Sequence, residues 1–162
     1  MIERPVPDAS FDVIRSMGAA ESFLAVVTTV RRDGTPHASL VNAGVMPHPV
    51  TGERVAAFVN HGRRKLANLR ARPATTLTWR SGWAWISLDG WAELAGPDDV
   101  LDGWTPQEQA DRLPGLLRAI FLAAGGTHDD WATYDRVMAE ERRVAVLVTP
   151  SRTYGDYGDD GR

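Results

Sequence analysis

The sequence predicts a mainly β, α+β fold, a six-stranded antiparallel barrel, closed or split, with short helices at its periphery. Six runs of strand character follow one another too closely for parallel crossovers. The junctions carry hairpin and turn chemistry, and only three or four short helical patterns interrupt the strands, which favours a barrel over a doubly wound sheet.

Phe11 and Ile14 repeat at helical spacing, so Asp8 to Met17 reads as a short helix with Gly18 as its stop. Phe23 to Val30 is rich in β-branched and apolar residues and runs into Arg32-Asp33-Gly34, a hairpin signal, with a second strand from Pro36 to Val45. Met46 to Gly52 is turn-rich, a third strand covers Arg54 to Asn60, and Gly62 breaks it. From Arg63 to Pro73, Leu66 and Leu69 share one face of a helix that ends where Pro73 removes a backbone donor.

A strand from Ala74 to Trp79, a turn at Arg80-Ser81-Gly82 and a long strand from Trp83 to Leu94 come next, the last bent or bulged at Asp89-Gly90. Thr105-Pro106-Gln107-Glu108 is a capping box with proline at the first helical position, and Pro114 is expected to restart that helix before Gly125-Gly126. Thr127 is the expected cap of a further helix through Glu141, with Trp131, Tyr134 and Met138 on one face, before a final strand from Arg143 to Thr149. We expect one domain, with an N-terminal helix within 1–20, a helical insertion over 98–126 and a mobile tail over 156–162.

With 162 residues, 43% hydrophobic and 24% charged, the chain can bury an ordinary core. Its net charge of −3 gives no global attraction to nucleic acid or anionic membrane, and no apolar run approaches the length of a bilayer span. The absence of cysteine excludes disulfides and thiolate chemistry, and the first residues lack the layout of a secretory signal, so the cytoplasm is the expected compartment.

All but one of the eighteen basic residues are arginine, and the exception, Lys65, lies in the only dense basic cluster. Between His61 and Arg80 stand Arg63, Arg64, Lys65, Arg70, Arg72 and Arg80 with no carboxylate among them. Arg63, Arg64 and Lys65 open a helix, where free backbone N–H groups already favour an anion. A phosphate site, a solvated basic face and an interface of ion pairs are all compatible with that pattern. Neither a G-x-G-x-x-G turn nor a Walker motif is present. Trp79, Trp83, Trp85 and Trp91 can stack on a planar ring or pack in a core or interface. His37, His48, His61 and His128 are too dispersed for a metal site, Asp129-Asp130 reads as helix capping, and no serine sits in a nucleophile elbow. An enzyme built this way borrows its chemistry from a cofactor.

The unit VAAFVNHGRRKLANLRARPATTLTWR, preceded by DGTPHASLV and followed by WAWISLDGWAEL, resembles the pyridoxamine phosphate oxidase-like, FMN-binding split-barrel superfamily. Within it, the closest resemblance is to the oxidoreductases that use the deazaflavin coenzyme F420. The stretch THDDWATYDRVMAEERRVAVLVTPSRTYG is also similar to the terminal helix and last strand of that branch, so the resemblance runs from about Phe23 to Gly155. It implies a six-stranded split barrel and a homodimer with two cofactor sites at the subunit interface. By that resemblance Arg63 and Lys65, with Arg64 beside them, match phosphate-binding positions. Val59, Asn60 and His61 match the strand end that passes the cofactor, Ser39 and Val41 the strand beneath its ring, and Trp83 a residue reaching over from the partner.

The implied activity is hydride transfer between reduced F420 and a small conjugated or aromatic substrate, with no obligatory catalytic side chain. Arg70, Arg72 and Arg80 could attract the acidic tail of F420 or simply be solvated. Two alternatives stay open: an FMN-dependent oxidase or reductase of the pyridoxamine phosphate oxidase type, and a non-catalytic binder of flavin, F420 or haem. Nucleic acid is disfavoured by the negative net charge and the narrow basic patch.

Overall fold

The computed structural model describes residues 6–158. Six strands, β1 (Leu24–Val30), β2 (Pro36–Pro47), β3 (Arg54–Asn60), β4 (Ala74–Ser81), β5 (Ala84–Ala95) and β6 (Val144–Asp156), pair antiparallel in the order β1-β2-β3-β6-β5-β4 and close into a barrel. Four helices accompany them: α1 (Asp8–Ala20), α2 (Arg63–Ala71), α3 (Pro106–Ala123) and α4 (Trp131–Glu140). This is the α+β barrel that the sequence predicts.

Each end of the barrel is stoppered by a helix. α1 runs directly towards Leu24 and inserts Phe11, Ile14 and Met17 into the interior cluster that contains Val27, Phe58, Trp79 and Ile86. α2 leaves the end of β3 and returns at Ala74, and it contributes Leu66 and Leu69 to the same cluster from the other side. A second apolar cluster lies outside the barrel wall, where Leu116, Leu117 and Ile120 of α3 and Tyr134 of α4 cover Val55, Ala57, Ala145 and Leu147.

That cover explains the burial of individual strands. On β6, Val144 to Val148 are buried on both faces, as is most of β3, because the interior lies on one side and α3 on the other. β1 alternates instead, with Ala25 and Val27 inside and Leu24 and Val26 exposed, because no helix covers its outer face.

The barrel is split at one place. β2 pairs with β1 from Pro36 to Asn42, then hands over to β3 and pairs with it only from Ala43 to Pro47. Val59 and Asn60, at the end of β3, pair with β6 and have no ladder partner on β2. A gap therefore separates the first half of β2 from the end of β3, and α2 begins beside it.

Several elements differ from their sequence-level expectation. α1 does not stop at Gly18, which remains helical because the ring of Phe23 occupies the place of its missing Cβ. Pro114 does not restart α3 but lies within one continuous helix, on its solvent-facing side, where water can satisfy the carbonyl that proline leaves unbonded. α4 is capped by Asp130, whose carboxylate accepts from the Thr133 N–H at 3.1 Å, rather than by Thr127. β6 continues seven residues beyond Thr149 to Asp156, paired throughout with β5. Asp156 of the expected tail is thus strand, and residues 159–162 lie outside the described residues. The irregularity at Asp89-Gly90 and the capping box at Thr105 and Glu108 are where the sequence places them.

Candidate functional site

The site forms around the gap between β2 and β3. Strand alternation turns His37, Ser39 and Val41 of β2 inwards, opposite Thr29, Val27 and Ala25 of β1. Val41 is part of the barrel core, so beneath any ring it presents only its backbone, while Leu40 and Asn42 point out. Across the gap, Asn60 ends β3 and turns its side chain towards α2, donating to the Gly62 carbonyl at 3.2 Å.

Helical periodicity places Lys65 on the buried face of α2 with Leu66, Asn68 and Leu69, leaving it only 8% exposed. Its Nζ donates to Asn60 Oδ1 at 3.2 Å and lies 5.6 Å from the centroid of the Phe58 ring. No carboxylate compensates it among the described residues, and burial pushes its pKa down. An ammonium has three donors, so this one is short of partners. Asn68, one turn along, donates to Thr29 Oγ1 at 3.0 Å. Beside Thr29, His37 Nδ1 and Ser39 Oγ are buried with no hydrogen-bond partner.

Buried polar atoms are rarely left unpaired, and two of the four such atoms in the described residues lie on this short stretch of β2. Across the gap stand an under-satisfied lysine and a helix N-terminus whose cap residue, Gly62, has no side chain to offer, so the α2 side of the split is rich in free donors. That donor set fits an anionic head group such as a phosphate.

Arg63 and Arg64, on the first turn of α2, are exposed. Arg63 and His61 line a groove of about 550 Å³ that runs along α2 to Asp98, Glu141 and Arg142. The basic run between His61 and Arg80 is not one patch, however. Arg70 is gripped by the Asp99 carboxylate at 2.8 and 2.7 Å, a hydrogen bond that holds its pKa high. Arg72 donates to the Val30 carbonyl at 2.9 Å, and Arg80 lies at the other end of β4. Of the run, Arg63, Arg64 and Lys65 are left at the start of α2 without a carboxylate among the described residues, and spacing in sequence does not reveal which arginines fold onto a carboxylate or carbonyl of their own.

Trp83 is 98% exposed in the turn between β4 and β5. Within one subunit it stands a strand's length from Lys65, about 25 Å at ~3.3 Å per residue. It lines an apolar groove of about 580 Å³ on the outside of the barrel with Leu24, Val26, Leu40 and Trp85. Trp79, by contrast, is fully buried, its indole donating to the Ala43 carbonyl at 3.1 Å. Among the histidines, His48 is a turn pin: its Nδ1 accepts from the N–H groups of Val50 and Thr51, and its Nε2 lies 3.0 Å from Glu93.

Sequence reasoning missed His37, Asn68 and Asn42 as residues of this region. His37 follows from the alternation with Ser39 and Asn68 from the helical face it shares with Lys65 and Leu69, but Asn42 depends on where the ladder of β2 changes partner, which has no local signature.

The sequence profile of the family described as pyridoxamine 5'-phosphate oxidase matches residues 14–119. Among solved structures, a conserved hypothetical protein from Mycobacterium tuberculosis superposes with a TM-score of 0.62 at 18% identity, over 97% of this chain and 88% of that one. A protein named as an F420 reductase gives 0.55 at 18% identity, over 91% and 98%. A haem-binding protein from Mycobacterium smegmatis gives 0.59 at 17% identity, over 96% of this chain and 57% of the longer one. At these identities the likeness is one of fold.

Proposed function

The chain belongs to the pyridoxamine 5'-phosphate oxidase family, and we propose that it is an F420-dependent reductase acting as a homodimer on a small conjugated or aromatic substrate. The observation that carries this reading is the donor pocket at the split. Lys65 is buried with a single hydrogen bond, and on the inward face of β2, across the gap, Ser39 Oγ and His37 Nδ1 are unpaired. The phosphate of the cofactor would be held there by Lys65, Ser39 and the start of α2, with Arg63 and Arg64 closing over it from the solvent side. Its ring would lie along the outer edge of β2 past Leu40 and Asn42, with Val59 of β3 opposite. The choice of F420 over FMN rests on the resemblance from Phe23 to Gly155.

When bound and reduced, F420 supplies a hydride. The chain's own part is to neutralise the head group, to fix the ring through the backbone of the split and to exclude water around it. Hydride addition to a conjugated substrate leaves an anion that must also take up a proton, and with no obligatory side-chain donor assigned, that proton would come from solvent at the rim of the site.

The homodimer reading is supported by the exposed apolar groove of Leu24, Val26, Leu40, Trp83 and Trp85, where five large apolar side chains meet on an uncovered face of the barrel. A second copy seated there could also carry Trp83 towards the site from which its own chain keeps it. Leu40→Arg with Trp83→Arg is expected to give a monomer by light scattering, and a dimer that survives both substitutions would remove this face as the interface.

Fluorescence titration of the apo-protein with F420, FMN and haemin, repeated with Arg63→Ala/Lys65→Ala, tests the function. Preference for F420, weakened at least tenfold in the folded double variant, supports the reductase. Preference for FMN or haemin moves the protein to one of the other readings, and unchanged affinity in the variant overturns the phosphate site.

A further inference from the structure

On the outer side of the split lies a second cavity with a different chemistry. Two adjoining lobes, of about 200 and 370 Å³, share Asn42, Phe121 and Ala124 in their walls and make a two-lobed cleft beside the middle of β2, the C-terminal end of α3 and the face of α4. Val59, which borders the gap, is in its wall together with Tyr134 and Met138.

Most side chains of the cleft are aromatic or aliphatic, and three of its four polar ones, Asn42, Tyr134 and Arg143, are engaged within the chain. Tyr134 turns its hydroxyl away, donating to the Leu117 carbonyl at 3.2 Å, and burial raises its pKa, so it offers a neutral ring. Arg143, the only cation in the wall, is held by Glu141 through Nε at 2.7 Å. Asn42 donates from Nδ2 to the Ser22 carbonyl at 2.8 Å, which fixes its amide and leaves Oδ1 as an acceptor with no protein partner. The cleft thus presents aromatic and aliphatic surface, the free Asn42 amide oxygen, the Ser22 hydroxyl at its edge and no uncompensated charge.

Its backbone is held under constraint. Ser22, Phe23 and Arg142 are the only non-glycine residues of the described chain with left-handed backbone, at φ of 56°, 55° and 50°. The first two line the cleft and the third adjoins Arg143. The Phe23 ring is clasped between Gly18 and Gly125, each of which would place a Cβ within 2.6 or 2.7 Å of it. Strained backbone kept in place by its surroundings concentrates where ligands are gripped.

We propose that this cleft is the substrate site, and that it takes a neutral, planar, largely apolar molecule with a hydroxyl or N–H group that donates to Asn42 Oδ1. An anionic substrate finds no free cation there and is selected against. That the occupant is reduced rests on the reductase reading, whereas its binding does not. The helical insertion is then a specificity element, because Ile120, Phe121 and the Ala124-Gly125-Gly126 turn that ends it form one side of the cleft.

The test is equilibrium binding to the apo-protein by ligand-observed NMR, with 4-nitrobenzyl alcohol as neutral probe and 4-nitrobenzoate as its charged analogue. The alcohol is expected to bind at least tenfold more tightly than the carboxylate. Ala124→Phe, which fills the junction of the lobes, should weaken the alcohol at least tenfold while leaving F420 affinity unchanged. Met138→Phe, entering from α4, serves where the first variant does not fold. Equal binding of the two probes, or undiminished binding of the alcohol in a folded variant, overturns the proposal. Loss of F420 binding in either folded variant would instead make the cleft part of the cofactor's own seat, and would overturn it too. If the wild-type protein takes the alcohol in this cleft but binds no F420, the reductase reading fails and the site stands.

Discussion

The two helices that stopper the barrel do the same structural work with different materials. α1 closes one end with Phe11, Ile14 and Met17, all apolar and all packed into the interior cluster. α2 closes the other with Leu66 and Leu69 but buries Lys65 and Asn68 alongside them, and β2 carries Ser39 Oγ and His37 Nδ1 buried and unpaired on its inward side. A plug made only for stability has no use for a buried ammonium, whose desolvation works against folding. The difference teaches that the α2 end carries polar groups that packing alone does not call for, while the α1 end is built of apolar packing only.

The contrast can be broken most directly at its largest expected effect. Ile14→Ala should cost about 2–5 kcal/mol in urea denaturation, the range for truncating a fully buried aliphatic side chain. A cost below about 1 kcal/mol would mean that the α1 end is not the tight one. At the other end, Lys65→Met should lower affinity for F420 at least tenfold, about 1.4 kcal/mol, without lowering the denaturation midpoint at pH 7. A variant that unfolds markedly earlier would show Lys65 to be a structural residue.

The pH dependence sharpens the same point. Burial lowers the Lys65 pKa in the folded state below the ordinary 10.5, so between those values the unfolded chain binds more protons than the folded one. The resulting contribution to stability is fully present above 10.5 and is lost as pH falls through the lowered folded-state value. The wild-type midpoint should therefore gain relative to that of Lys65→Met as pH is raised through this window. Parallel curves would contradict the burial of an uncompensated ammonium. The smallest effect belongs to Ser39→Ala. Its hydroxyl has no partner to lose, so stability should change by less than about 0.5 kcal/mol while F420 affinity falls.

What the sequence made legible follows the range of the interactions involved. The Asp33-Gly34 hairpin, the Thr105 capping box and the kink at Asp89-Gly90 are decided within a few residues, and all three are where pattern reading puts them. Gly18 and Pro114 were misleading because a neighbour decides each: the Phe23 ring in one case, and the open solvent face of α3 in the other. Lys65 stands out in the sequence as the lone lysine, but its burial follows from the face of α2 that meets the core. The arginines could not be sorted in advance, because Asp99, which claims Arg70, lies twenty-nine residues away. The length of β6 was hidden likewise, since what sustains it to Asp156 is the partner strand β5 and not its own composition.

The hand-over of β2 from one neighbour to the other leaves peptide groups from Pro36 to Asn42 without ladder bonds on the side of the gap. A molecule entering there meets main chain before it meets side chains, and main chain is the same whatever residues the strand carries. Such a seam tolerates drift in spelling and not in counting. Most single replacements along it would leave the docking edge intact, whereas inserting or deleting one residue between Pro36 and Ala43 would turn Ser39 and His37 outwards and Leu40 into the core.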